Sequence, residues 1–148
     1  MRITFVDVEN TTTVWQNIKN ILNNTDLLVA HNMKHDLAWL WAAGFKYEGK
    51  IWCTQVAEYL SNRGVKSGLS LKALAEKHNL GHTKIDVTFD WEHLDECDWD
   101  TLKEYGVYDI LTLKDLYIVQ AERYSTVDHS LAATMTMSMD FLKELIHM

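Results

Sequence analysis

Five residues carry side chains that could do chemistry together. Asp7 and Glu9 stand two apart in RITFVDVE (2–9). Asp36 falls one turn into the helical pattern that begins within VAHNMKHDLAWL (29–40). Asp109 lies in EYGVYDILTLKDLY, with Tyr105 four residues before it. Residues two apart on a strand share a face, and residues four apart on a helix share one too. Carboxylates drawn close together raise one another's pKa, so a gathering of four is costly. A pair of hard divalent cations removes that cost. Mg²⁺ or Mn²⁺ prefers oxygen ligands and keeps several waters. Two such ions about 4 Å apart could activate a water and stabilise the leaving oxygen of a phosphodiester. Each signal alone has a plainer reading. D-x-E is often a solvated strand edge, Asp36 a first-turn charge favoured by the helix dipole, and Tyr105 with Asp109 a bare amphipathic face.

The elements that must hold these residues follow from pattern. RITFVDVE loosely alternates and is rich in β-branched residues, which predicts a strand. NTTT (10–13) is a polar loop, and 14–24 a short helix with Trp15, Ile18 and Leu22 on one face. The continuous apolar run in DLLVAH (26–31) predicts a strand buried on both faces. A helix over 33–44 follows, with Asn32 as its N-cap, Gly44 as its stop and the Trp and Leu side chains of DLAWLW in the core. Residues 50–62 pass from a short strand into a helix. Residues 68–81 form a helix capped by Ser70 and ended by Gly81. Residues 82–98 are mostly loop, 99–124 a long helix capped by Asp98 or Asp100, and 129–148 a final helix. Strand, helix, strand, helix, strand implies parallel strands with helices on the faces. Asp7, Glu9 and Asp36 then cluster at the C-terminal edge of the sheet, where open α/β sheets bind ligands.

Composition bounds the answer. The chain has 148 residues and is 47% hydrophobic, which suits one soluble domain with a sizeable core. No run of about 18 apolar residues and no signal peptide is visible. Cys53 and Cys97 lack metal-like spacing and are expected to be small buried hydrophobes in a reducing, cytoplasmic compartment. The net charge of −7 argues against a protein that coats nucleic acid. It leaves room for an enzyme that holds nucleic acid through metal ions.

FVDVENT, AHNMKHD and YGVYD, in this order, resemble the three motifs of the DEDD 3′–5′ exonucleases in their tyrosine form. AEYL, GLSLKALAEKH and EYGVYDILTLKDLY extend the similarity, which covers Asp26 to Tyr124 and the first nine residues. It is strongest toward the proofreading domain of phage-type family A DNA polymerases. The resemblance implies an α/β, RNase H-like fold and hydrolysis of single-stranded DNA from its 3′ end to 5′-mononucleotides. It implies that Asp7 bridges both metals, that Glu9 and Asp109 complete one site, that Asp36 serves the second ion, and that Tyr105 orients the attacking water. Asn10, Thr11 and Asn32 would meet the terminal nucleotide. The family's first β-hairpin is missing, because only 22 residues separate Glu9 from Asn32 and one short helix takes the place of the two strands. The sheet is therefore reduced, with an edge open to a second copy of the chain or to a DNA polymerase. Residues 129–148 resemble the helix leading into a polymerase domain. Two other readings stay open: a catalytically impaired exonuclease fold acting as a binding module, and an enzyme trimming RNA 3′ ends.

Overall fold

The computed structural model describes residues 3, 12–81 and 88–147. The first expected strand, with Asp7, Glu9, Asn10 and Thr11, lies outside them, apart from Ile3. The described elements are α1 (Thr12–Asn23), β1 (Leu27–Ala30), α2 (Met33–Ala42), β2 (Lys50–Cys53), α3 (Thr54–Ser61), α4 (Leu71–Lys77), α5 (Trp99–Ser125) and α6 (Ala132–Glu144). Short 3-10 turns at Leu94–Glu96, His129–Leu131 and Leu145–His147 complete them. α1 fills most of the stretch between the first expected strand and β1. Its Trp15 ring stacks at a tilt on Phe45, 5.1 Å between centroids.

β1 and β2 pair in parallel, with Leu27 opposite Lys50 and Ala30 opposite Cys53, and α2 makes the crossover. Helices cover both faces. Ile51 and Cys53 point one way into a core with Met33 and Leu37 of α2 and Met135 and Met139 of α6. Trp52 points the other way and meets Tyr117 and Tyr124 of α5 edge-on, at 5.4 and 5.5 Å. β1 was expected to be buried on both faces, yet each of its residues is only half-buried.

A polar network ties the second face. The Trp52 indole N–H donates to Gln120 Oε1 at 3.1 Å. Gln120 Nε2 donates to the Thr54 carbonyl at 2.9 Å and to Glu58 at 3.0 Å. Glu58 is 1% exposed, and it also accepts from Lys77 Nζ at 2.7 Å and His78 Nε2 at 3.1 Å. Burial alone would raise its pKa, but these donors outweigh it and hold the carboxyl below the usual range.

The ends of the helices show where local chemistry decided. Ser70 caps α4 by accepting from Ala73 N–H, and Asp98 caps α5 by accepting from Thr101 N–H. α2 ends at Gly44, φ +87°, with Phe45 N–H bonded back to Leu40 and Gly44 N–H to Trp41. α4 does not run to Gly81. It stops at Lys77, because Asn79 takes the left-handed conformation at φ 51° and Leu80 N–H bonds back to Ala75. Asn32 is not a side-chain cap either. It sits at φ 58°, ψ 48°, and its side chain makes no capping hydrogen bond. The chain must reverse sharply from β1 into α2, and Asn tolerates the left-handed region better than most residues.

The indoles of DLAWLW are a further correction. Leu37 is in the core and Leu40 packs against it, but Trp39 is 74% and Trp41 47% exposed. Met33, Leu37 and Leu40 define the inward stripe, so position 39 must point away. Cys53 is buried as expected, whereas Cys97 is only half-buried. No described helix is long and apolar enough to cross a membrane.

Candidate active site

β1 and β2 end level with each other, since Ala30 pairs with Cys53. The next residue on each strand is polar: His31 and Thr54. His31 Nδ1 lies 2.9 Å from Thr54 Oγ1, and Thr54 Oγ1 lies 3.3 Å from the Ala30 carbonyl. The hydroxyl donates to the carbonyl, so it accepts from the imidazole N–H. This clamp closes the C-terminal edge of the described sheet. Burial lowers the His31 pKa, while the Leu69 carbonyl and the charge of Asp109 pull it back up. Asp109 is carried on α5, which packs against β1.

Asn32 follows His31 directly and is exposed, its left-handed backbone holding it at the edge. Asp36 lies in the first turn of α2, one turn beyond. Burial pushes its carboxyl pKa up, eased only by the backbone of its own turn and by His35. Tyr105 is one turn before Asp109 on α5. Its ring meets Phe89 at 5.0 Å and Trp91 at 6.4 Å.

Of the expected site residues, Asn32, Asp36, Tyr105 and Asp109 are described, while Asp7, Glu9, Asn10 and Thr11 lie outside the described residues. Asp36 fits a hard cation: its carboxylate is exposed at the start of α2, and no Lys or Arg among the described residues pairs with it. The described residues alone do not complete a metal site, since no group of three or more His, Cys, Asp or Glu gathers among them.

His31 and Thr54 escaped the reading of the sequence. Their signal was registral: two polar residues directly after two paired strands. Thr54 is fully buried and holds both His31 and the end of β1. Thr54→Val keeps the volume and removes both bonds. It is expected to cost about 1–2 kcal/mol of stability, measured by urea unfolding.

A family model described as 3′–5′ exonuclease matches residues 2–119. That span includes Asp7, Glu9, Asp36, Tyr105 and Asp109. Comparison with curated proteins and with solved structures gave no match.

Proposed function

The chain belongs to the 3′–5′ exonuclease family, and from that premise we propose that it removes nucleotides from the 3′ ends of single-stranded DNA by metal-dependent hydrolysis. Its α/β architecture, with a small parallel sheet between helices, is that of an RNase H-like exonuclease. The observation that supports the proposal most is the family match over residues 2–119, which spans Asp7, Glu9, Asp36, Tyr105 and Asp109.

On this reading Asp7, Glu9, Asp36 and Asp109 hold two divalent cations, Mg²⁺ or Mn²⁺. When bound, such ions supply hydroxide near neutral pH and offset the charge on the leaving 3′ oxygen. The chain's own residues position the rest. The Tyr105 hydroxyl orients the attacking water by a hydrogen bond. The Asn32 amide offers donors and an acceptor to the terminal nucleotide, with Asn10 and Thr11 beside it. The role is of the proofreading kind, in the cytoplasm.

The test is cleavage of labelled single-stranded DNA, with a matched RNA, in Mg²⁺, Mn²⁺ and EDTA. DNA should shorten from its 3′ end to 5′-mononucleotides with either ion and not in EDTA. A protein inert with both ions overturns the proposal. Tyr105→Phe loses one hydrogen bond to the water and keeps every carboxylate. It should slow single-turnover cleavage about tenfold, the worth of roughly 1.4 kcal/mol.

A further inference from the structure

The turn ahead of α5 presents an indole beside Tyr105. Asp90 closes that turn: Glu92 N–H donates to its Oδ1 at 3.1 Å, and His93 N–H to its carbonyl at 3.2 Å. Phe89 is buried against Tyr105 on one side of the turn. Trp91 is 64% exposed. Phe89 and Tyr105 meet it at 60° and 69°, so neither ring lies flat on it. An edge-on support fixes the indole and leaves a broad face to solvent.

Charge makes such a face useful here. With 14 Lys and Arg against 21 Asp and Glu, the chain has little electrostatic hold on a polyanion. Stacking supplies affinity without phosphate contacts, and it tolerates any sequence because every base has a π-face.

We propose that Trp91 is a stacking platform for one nucleobase of a single-stranded substrate, next to the nucleotide that Tyr105 serves. This rests on the exonuclease reading for the nature of the strand. The rigid turn sets where the base sits, and the ring contact with Tyr105 ties that position to the reacting end.

The experiment measures fluorescence anisotropy of a 3′-labelled oligodeoxythymidylate bound to the full chain, with Ca²⁺ as the cation so that the strand stays intact. Trp91→Ala should weaken binding about tenfold, within the range that base–aromatic stacking spans, and Trp91→Phe should fall between. The loss should hardly change with salt, unlike the loss of a phosphate contact. An abasic residue is then moved along the last nucleotides. At one position it should weaken wild-type binding by the same factor and leave Trp91→Ala unaffected. Circular dichroism checks the fold of each variant. The proposal is overturned if Trp91→Ala binds like wild type, if its loss is the same with or without a base at every position, or if the wild type binds no oligonucleotide. Cleavage in Mg²⁺ is scored separately. A protein that stacks the base but never cuts would lose the exonuclease reading and keep this one.

Discussion

On the proposed function, Asp36→Ala is expected to lose about a thousandfold or more in single-turnover cleavage and to stay folded. The loss is on the scale of removing one preorganised group that stabilises transition-state charge. The stability follows from sign. Burial raises the Asp36 pKa in the folded chain, so the folded state binds this proton more tightly than the unfolded one. Ionisation at this position therefore opposes folding, and the opposition grows as pH rises from the unfolded value through the raised one. Alanine removes it. Thermal melts at pH 7 should show the variant no less stable than wild type in EDTA. Added Mn²⁺ should raise the wild-type midpoint more than that of the variant, because a ligand stabilises the state that binds it. A variant that cuts like wild type, or that unfolds in EDTA while wild type stays folded, defeats this account of Asp36.

Glu58→Ala has the largest expected effect on stability, about 3–5 kcal/mol. The carboxylate is itself buried and is the shared acceptor of Lys77, His78 and Gln120, so its loss removes the acceptor that ties the end of α4 to α5. The midpoint should fall by about 10 °C for a chain of this size. The pH dependence has the opposite sign to that of Asp36. The native pKa of Glu58 is lowered, so its contribution is present above the unfolded carboxyl value and disappears as pH falls through the lower native one. Wild-type stability should therefore drop on acidification below about pH 4, the unfolded Glu value. In Glu58→Ala this part of the drop should be absent. Equal acid slopes in the two proteins would show that the network does not act through this charge.

Much of the scaffold was legible because local and tertiary demands agree there. The parallel pair follows from the strand–helix–strand order, and the caps at Ser70 and Asp98 and the stop at Gly44 each follow from one residue type with one strong preference. Asn32 and Asn79 were harder, because Asn serves both as a cap and as a left-handed residue. Only the turn that the chain must make selects between these uses. At position 32 the reversal from strand to helix selects the left-handed form, and at 79 the same conformation ends the helix before Gly81. Trp39 was misplaced inward because DLAWLW is apolar nearly all round, and the stripe through Met33 and Leu37 decides which face wins. The spacing of Asp36, Tyr105 and Asp109 was visible as motif. The His31–Thr54 clamp was not, because its partners are far apart in the chain and meet only once the strand register is set.

The position of α6 governs the order in which the chain can safely be made. Met135 and Met139 close the apolar face formed by Met33, Leu37, Ile51 and Cys53, and Met139 sulfur accepts the Cys53 N–H at 3.3 Å. During synthesis that face stays uncovered until residues 132–144 have left the ribosome. The parallel pair, complete eighty residues earlier, must wait with its core side open. A nascent chain halted before this helix would present that surface to chaperones or to other chains, as folding intermediates with exposed apolar area do.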